Sequence, residues 1–400
     1  MRAPADAAVE LHDLYLPCPR GLEPVLADEL AELGSPTLRV EPPQSGGVAA
    51  RGTFDDAMLL NLHSRIASRV LLRAGRTRVR DADDVYRLAQ RVRWERWFDA
   101  RRTLRIDLSA DRSPLDSVQF AALRAKDGIC DHFRGIGQPR PDIDRERPDV
   151  RVHLHLNADS ALLYLDTSGE ALFKRGWRAE HGEAPLKENL AAGLLRLAGW
   201  TPQAVLYDPL CGAGTIAIEA AQVACGIAPG AQRAFAFERL RVFDARRWQQ
   251  LRAQAEALRR APPAPLYAAD IDPRMVRLAR DNAQRAGVAD ALHLHQGDVM
   301  DAQPPLAPAP GRAAQIVSDP PYAERIAAKG SEADDFLPRL GDVLKQRFSG
   351  WRAALLLADV HAERALRLKA TRRHVVYNGA IECRLFTFEL VAGRPPRKPV

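Results

Sequence analysis

The sequence predicts an α/β protein whose C-terminal half is a Rossmann-like, doubly wound parallel sheet ending in an antiparallel hairpin, preceded by a smaller α+β region. Two observations carry this prediction. From about residue 185 onward, short apolar segments alternate with amphipathic ones, which is typical of parallel strands connected by helices. Near the C-terminus, two strand-like segments flank Asn378-Gly379, a strong signal for a two-residue turn.

The first 170 residues mix short strands and helices without that regular alternation. Apolar positions at helical spacing predict helices over 22–33, 54–66 and 117–133. Short or alternating apolar runs predict strands over 38–40, 47–50, 69–73, 103–108, 150–156 and 161–165. The stretch 135–149 is rich in Pro, Asp and Arg, and we expect it to form a polar loop.

The second half contains the elements of the parallel sheet. Strands are predicted over 204–207, 266–269, 292–295, 314–317 and 353–357, and helices over 215–225, 273–286 and 334–348. An insertion over 229–265, rich in aromatic residues and arginine, separates the first helix from the second strand. The strands of the closing hairpin are expected over 374–377 and 381–390.

Composition indicates an ordinary globular chain. Four hundred residues exceed what one hydrophobic core usually organises, so we expect two or three domains. No apolar run is long enough to span a bilayer, and the N-terminus carries acids instead of the basic and apolar stretches of a secretory signal. The five cysteines are scattered, which excludes a disulfide framework and a zinc site. We therefore expect a cytoplasmic protein without a bound metal.

Positive charge is unevenly distributed. The formal net charge of +7 permits a polyanionic partner. Residues 65–105 alone contain 13 arginines against 5 acids, a local balance of +8. Arginine is suited to phosphate binding and to stacking on bases. A general bias of the chain toward Ala and Arg explains the same charge equally well.

A loop of small residues follows the strand at 204–207. Asp208-Pro209-Leu210-Cys211-Gly212-Ala213-Gly214-Thr215 lets the backbone approach a ligand closely and opens a helix. The loop also fits a loose dinucleotide-binding pattern. However, an acid at its start would repel a pyrophosphate and attract the ammonium group of S-adenosylmethionine. The loop therefore favours a methyltransferase fold, with Asp208, Cys211, Gly212, Gly214 and Thr215 as cofactor-binding residues.

Two later carboxylates are candidates for the nucleoside part of this cofactor. Asp270 ends an apolar strand, where it can accept the two ribose hydroxyls, whereas Asp272-Pro273 reads as a helix cap followed by proline at the first helical position. Asp298, after the next strand, is predicted to accept from the adenine amino group. A turn aspartate is the alternative for Asp298.

The segment Asp319-Pro320-Pro321-Tyr322 is the predicted catalytic loop. Two prolines remove two amide donors and stiffen the backbone, so the Asp319 carboxylate and the Pro320 carbonyl become fixed acceptors. Acceptors on the hydrogens of an exocyclic base amine direct its lone pair at a methyl sulfonium. Tyr322 is placed to stack on the base, a contact worth about 1–3 kcal/mol. The proton acceptor, Asp319 or water, is left open.

Together these motifs resemble the THUMP-containing RNA guanine-N2 methyltransferases, and most closely the methyltransferase half of the bacterial enzyme acting on 23S rRNA. Three further segments carry the resemblance: Cys18–Glu23, Gly169–Arg178 and Ala184–Ala192. The resemblance implies a ferredoxin-like domain over 1–60, a THUMP RNA-binding domain over 61–168 and a class I methyltransferase domain over 169–400. It implies S-adenosylmethionine as cofactor, Asn189 in its pocket and RNA, most of all ribosomal RNA, as partner.

Several points stay open within this resemblance. Because the chain ends at Val400 soon after the hairpin, we expect no second methyltransferase domain of the kind that some relatives carry. Trp94 and Trp97 are either core residues or stacking platforms for RNA. Aspartate at the start of the catalytic loop is also common in amino-methylating DNA enzymes. The alternatives are a tRNA guanine-N2 methyltransferase, a DNA adenine-N6 or cytosine-N4 methyltransferase, and a non-catalytic RNA-binding assembly factor.

Overall fold

A computed structural model describes residues 10–178, 186–306, 313–321, 333–359 and 361–391. The chain divides into two compact units, and each is discontinuous in sequence. The first unit contains residues up to 18, 26–172 and 233–253, and the second contains 19–25, 173–232 and 254 onward. No helix within the described ranges has the length and apolar character needed to cross a membrane.

The strands and helices follow the predicted order closely. The strands are β1 (His12–Pro17), β2 (Arg39–Val40), β3 (Gly47–Gly52), β4 (Leu71–Arg78), β5 (Leu104–Ala110), β6 (Val150–Leu156), β7 (Ser160–Asp166), β8 (Val205–Asp208), β9 (Leu266–Asp270), β10 (Leu292–Gln296), β11 (Ala314–Ser318), β12 (Arg352–Leu357), β13 (Arg372–Asn378) and β14 (Ile381–Glu389). The helices are α1 (Glu23–Glu32), α2 (Phe54–His63), α3 (Ala82–Arg91), α4 (Val118–Gly135), α5 (Glu188–Leu197), α6 (Thr215–Ala224), α7 (Ala245–Glu256), α8 (Pro273–Arg285), α9 (Ala333–Arg347) and α10 (Ala362–Leu366).

The second unit is built on a seven-stranded sheet of order β10-β9-β8-β11-β12-β14-β13. The first five strands are parallel, and the β13–β14 hairpin joins them antiparallel through β14. The predicted fold class, a parallel sheet ending in a hairpin and preceded by an α+β region, is confirmed. One detail of the hairpin differs from the prediction. Asn378 pairs with Ile381, so the turn consists of Gly379 and Ala380, with Gly379 in the left-handed region.

Residues 19–25 belong to the second unit although they follow β1 directly in sequence. A side chain at Gly21 would collide with the carbonyl of Val375 in β13, and Gly21 has a φ of 89°. Leu22 packs so closely on Gly193 of α5 that a Cβ at Gly193 would overlap it. The amide of Tyr377 donates to the carbonyl of Arg20 at 3.2 Å. The Cys18–Glu23 motif is therefore explained in large part by packing.

A buried ion pair lies in the second unit. Arg175 donates through Nε to Glu219 of α6 at 3.1 Å, and the two side chains are 1% and 0% exposed. Removing either partner would leave an uncompensated charge in a site of low dielectric constant, which costs several kcal/mol. The pair thus fixes the segment before α5 against α6.

The first unit contains its own seven-stranded sheet, of order β2-β3-β1-β4-β7-β6-β5. Trp94 is fully buried there and donates from its indole nitrogen to the carbonyl of Ala89 at 2.7 Å, while Trp97 is 7% exposed. The core interpretation of both tryptophans is confirmed, because neither ring presents a face on which a base could stack. Their burial helps to hold the turn after α3.

Three helices were absent from the sequence prediction: the five-residue α10 and the longer α3 and α7. α3 lies inside the arginine-rich stretch 65–105, and its apolar face is short: Val85, Leu88 and Ala89 are its buried apolar residues. α7 lies inside the 229–265 insertion and contains three arginines and three glutamines. In both segments polar residues dominate, so periodicity of apolar residues is a weak signal. A capping aspartate, Asp81, was the available sign of α3, since it accepts from the amide of Asp84 at 2.9 Å.

The contact between α3 and α4 depends on Gly128. A Cβ there would lie 2.5 Å from the carbonyl oxygen of Tyr86 and 2.8 Å from Cβ of Ala89, whereas a Cβ at Gly135 of the same helix would meet nothing within 4 Å. We predict that Gly128→Ala destabilises the protein by about 1–3 kcal/mol, because overpacking outweighs the better helix propensity of alanine. Gly135→Ala is the matched control and should be neutral or slightly stabilising. Thermal unfolding followed by circular dichroism measures both, and equal midpoints would contradict the close packing.

Candidate active site

In the sheet of the second unit, the carboxyl edge has a topological switch point between β8 and β11. From β8 the chain proceeds to β9 and β10 on one side, and then returns to β11 on the other side. β8 ends at Asp208 and β11 ends at Ser318, and the two strands pair in parallel. Open α/β sheets bind ligands in the crevice at such a point. The fold thus brings the glycine loop and the Asp319 loop to one place.

The two glycines of the loop have different roles. Gly212 has a φ of 51°, and a Cβ there would meet nothing within 4 Å, so the position faces open space. Gly214 has a φ of 85°, and a Cβ there would lie 3.0 Å from Cβ of Ala279 in α8. Gly214 therefore permits close packing on α8, while Gly212 leaves room for a ligand against the backbone.

Hydrogen bonds to β9 and α8 hold the loop in position. The amide of Gly212 donates to Oδ2 of Asp270 at 2.9 Å, and the amide of Cys211 donates to the carbonyl of Ala269 at 2.9 Å. Asn282 of α8 donates to the carbonyl of Ala213 at 3.0 Å. Burial raises the pKa of the Cys211 thiol well above its ordinary value, and the nearby Asp208 and Asp270 raise it further. Cys211 is thus a packing residue with an unreactive thiol.

Asp208 is the most perturbed acid of the site. Its side chain is 1% exposed and accepts a hydrogen bond from the hydroxyl of Ser318 at 2.6 Å. Burial raises its pKa to about 7, the Ser318 hydrogen bond opposes that rise, and the charges of Asp319 and Asp270 add to it. Three carboxylates therefore converge on one crevice. Such a group repels a phosphate and is complementary to a ligand that carries positive charge.

The structure describes the predicted catalytic loop as far as Pro321. Asp319 and Pro321 are half-buried and Pro320 is buried, directly after Ser318 at the end of β11. Tyr322 lies outside the described residues. The backbone thus delivers Asp319 and the Pro320 carbonyl to the same edge as the glycine loop.

The remaining predicted residues occupy positions around that edge. Asp270 ends β9 and accepts amide hydrogens on both oxygens, from Gly212 and from Asp272. The capping interpretation of Asp272 is confirmed, because it caps α8 by accepting from the amide of Arg274. Asp298 caps a short 3-10 helix by accepting from Met300 at 2.9 Å, as a turn aspartate does. Its contact with adenine stays a prediction.

Arg178 and Glu188 lie at this site although sequence reasoning did not place them there. Arg178 donates from Nε to Glu188 at 2.8 Å and from Nη2 to the hydroxyl of Thr215 at 2.7 Å. Thr215 begins α6, and Asn189 lies fully buried beside Glu188 in α5. Arg178 therefore ties the segment before α5 to the helix that follows the glycine loop. Arg178 lies inside the Gly169–Arg178 motif, and Ser318 directly precedes Asp319, so both were next to recognised signals.

Comparison with protein families assigns three regions of the chain. Residues 175–387 match the family described as the RMKL-like methyltransferase domain. The chain belongs to this family. Residues 79–166 match the THUMP domain, and residues 13–71 match the RlmL ferredoxin-like domain. The resemblance to the THUMP-containing RNA methyltransferases is thus confirmed at the level of the family.

Individual relatives agree with this assignment. The chain is 39% identical over 395 residues to the ribosomal RNA large subunit methyltransferase K/L of Methylococcus capsulatus, covering 96% of this chain and 52% of that protein. It therefore spans about half the length of the K/L relatives that it matches. It is 37% identical over 375 residues to the Synechocystis protein slr0064, provisionally named an RNA methyltransferase, and covers 93% of this chain and 95% of that protein.

A solved structure supports the assignment of the cofactor. The protein SMU.472, provisionally a methyltransferase, was solved in complex with SAH, the demethylated form of S-adenosylmethionine. It is 27% identical to this chain, with a TM-score of 0.83 and coverage of 96% of this chain and 99% of that one. S-adenosylmethionine as the cofactor of the family is confirmed. The roles of individual residues toward it remain predictions.

The raised pKa of Asp208 predicts a dependence of stability on pH. As pH rises above 3.8 the unfolded chain ionises this group first, so the folded state loses stability until the group itself ionises near 7. We predict that Asp208→Asn, which keeps an acceptor for Ser318, removes this loss and stabilises the protein by on the order of 1–4 kcal/mol at pH 8.

The advantage of this variant should grow between about pH 4 and pH 7 and stay constant above. Thermal unfolding midpoints across that range measure it, with Asp290→Asn, a change of an exposed carboxylate in the same unit, as control. A difference that stays flat over the whole range would mean that Asp208 is already ionised in the folded protein at low pH.

Proposed function

We propose that this protein transfers a methyl group from S-adenosylmethionine to the exocyclic N2 amine of a guanine in RNA, with large-subunit (23S) ribosomal RNA as the substrate. One observation carries the proposal. The Ser318–Asp208 hydrogen bond joins the strand of the glycine loop to the strand of the Asp-Pro-Pro loop at the switch point of the sheet. A cofactor-binding loop and a loop of fixed acceptors therefore share one crevice.

The residues around the crevice fit the cofactor. The carboxylates of Asp208, Asp270 and Asp319 give the site negative charge, which suits the ammonium and sulfonium groups of S-adenosylmethionine. Asp208 is assigned to the ammonium group, and the open backbone at Gly212 to close approach by the methionine part. Asp270 is assigned to the ribose hydroxyls and Asp298 to the adenine amine. Asn189, Cys211, Gly214 and Thr215 shape the pocket around them.

The catalytic loop activates the amine by orientation. The bound cofactor supplies an electrophilic methyl group on a sulfonium. The Asp319 carboxylate and the Pro320 carbonyl accept the two amine hydrogens and hold the nitrogen lone pair on the line of attack. Because prolines have no amide hydrogen, no competing donor enters from Pro320 or Pro321. The nitrogen forms a bond to the methyl carbon while the bond from that carbon to sulfur breaks, which leaves a neutral thioether, and one amine proton passes to Asp319 or to water.

RNA as the substrate is supported by the N-terminal region and by the relatives. The match to a THUMP domain covers 79–166, and the 39% identical relative is named for methylation of large-subunit ribosomal RNA. Ribosomal RNA recognition requires an unstacked base, which single-stranded loops provide at low cost. A DNA amino-methyltransferase would share the catalytic loop but has no use for the THUMP region.

The substrate is tested by incubating the protein with labelled S-adenosylmethionine and, separately, undermethylated 23S ribosomal RNA, transfer RNA and duplex DNA. Nucleoside analysis should find the label in N2-methylguanosine from ribosomal RNA. Label confined to transfer RNA would show that transfer RNA and not ribosomal RNA is the substrate. Label in N6-methyladenine or N4-methylcytosine would overturn the proposal. RNA binding without any transfer would favour an assembly factor.

The role of Asp319 predicts a difference between two substitutions. Asp319→Ala removes an acceptor and should lower kcat by about 10²–10⁴ while cofactor binding is retained. Asp319→Asn keeps an acceptor oxygen and should stay within about tenfold of the natural protein, because orientation and not proton removal is the main contribution. Single-turnover rates and calorimetric cofactor binding measure both, with Asp290→Ala as control. Full activity in Asp319→Ala would refute the assignment.

A further inference from the structure

A concave basic pocket lies on the second unit, in the connection from β12 to β13. Its volume is about 510 Å³, and its polar lining consists of His361, Glu363, Arg364, Arg367, Lys369 and Arg373. The segment 361–373 contains five cations, with Arg372 as the fifth, and one acid, so its balance is five minus one, or +4. None of these residues belongs to the crevice at the β8–β11 switch point.

The single acid of this pocket is already engaged. Glu363 accepts from the amide of Ala370 at 2.9 Å and from Nε of Arg373 at 2.8 Å. It therefore closes the loop after α10 and orients one guanidinium. The side chains of Arg364, Arg367 and Lys369 are exposed, and none of them forms an ion pair with an acid of the described residues. Some exposed arginines elsewhere in this unit do have such partners, as in Arg259–Glu256 and Arg352–Glu389.

Arg367 is held in an unfavourable backbone conformation. It ends α10 with a φ of 53°, and within the described ranges the only other non-glycine residue with positive φ is Arg112. Glycine is the usual residue at such a helix end. A non-glycine residue in the left-handed region costs about 1 kcal/mol or more and is typical of functional positions. Arginine at a position that glycine would occupy without strain indicates a role for its side chain.

We propose that this pocket binds the phosphate backbone of the RNA substrate, away from the base that is methylated. The inference rests on the proposed function and adds a second RNA contact to it. Guanidinium groups match phosphate oxygens in pairs, and a concave surface concentrates their field. The cations are exposed, lie on long side chains and surround a pocket larger than one phosphate group. That arrangement favours a solvated polyanion over a small free anion, which is usually held by buried donors.

The test compares two double variants that each remove two positive charges from the same unit. Arg364→Gln/Lys369→Gln alters the pocket, and Arg259→Gln/Arg352→Gln alters two exposed arginines elsewhere. Binding of 23S ribosomal RNA transcribed in vitro is measured without cofactor over a range of salt concentrations. The pocket variant should lose about tenfold in affinity near 0.1 M salt. The negative slope of log K against log salt should become shallower by about 2, one unit for each phosphate contact that is lost. The control should bind as the natural protein does.

A single substitution separates binding from folding. Arg367→Gly relieves the positive φ, so its unfolding midpoint should not fall, yet its RNA affinity should drop several-fold. Cofactor affinity should stay unchanged in all three variants. Equal RNA binding by the two double variants would overturn the inference while leaving the proposed function intact. Stabilisation by inorganic phosphate that depends on the pocket, with RNA binding unaffected, would overturn it in favour of a small-anion site. Failure of the natural protein to bind RNA at all would overturn both proposals.

Discussion

The hydrogen bond from Ser318 to Asp208 is the contact on which the candidate active site depends. It joins the last residues of two neighbouring parallel strands, one leading into the glycine loop and the other into the Asp-Pro-Pro loop. Because both groups are buried, the bond is made in a medium of low dielectric constant, where a lost partner is costly. The distance between the glycine loop and the Asp-Pro-Pro loop is therefore determined by the sheet itself and not by mobile side chains.

The crevice is also unusual in its charge, because the sheet edge gathers three carboxylates. The chain tolerates this repulsion where an ordinary core would remove it. A ligand with two positive centres would reduce the repulsion between the carboxylates on binding, and this reduction contributes to the affinity of the site for such a ligand. Selection of a sulfonium cofactor over a dinucleotide then follows from electrostatics as well as from shape. The same glycine loop with a neutral residue at Asp208 would discriminate less strongly.

Local patterns made most of the fold and of the loops predictable. Alternating strands and helices, the Asn378-Gly379 turn signal and the two motifs at 208–215 and 319–322 are read from adjacent residues. The contributions of Ser318 and Arg178 were not predictable in this way. Ser318 depends on Asp208, which is 110 residues away in sequence, and Arg178 depends on Thr215, which is 37 residues away. α3 and α7 were missed because their polar surfaces hide short apolar faces. Trp94 and Trp97 could be settled only by burial, since an arginine-rich context fits either interpretation.

The alternation of the chain between its two units bears on how the protein is made. The glycine loop at 208–215 is synthesised before residues 233–253, which complete the first unit. Residues 19–25 can pack in the second unit only after β13 at 372–378 has been made. A nascent chain that has reached residue 232 therefore contains neither unit whole. Multidomain proteins commonly fold domain by domain from the N-terminus during synthesis. Here the first unit becomes complete only when residue 253 has been made, so the glycine loop and α6 of the second unit are synthesised before the first unit can close.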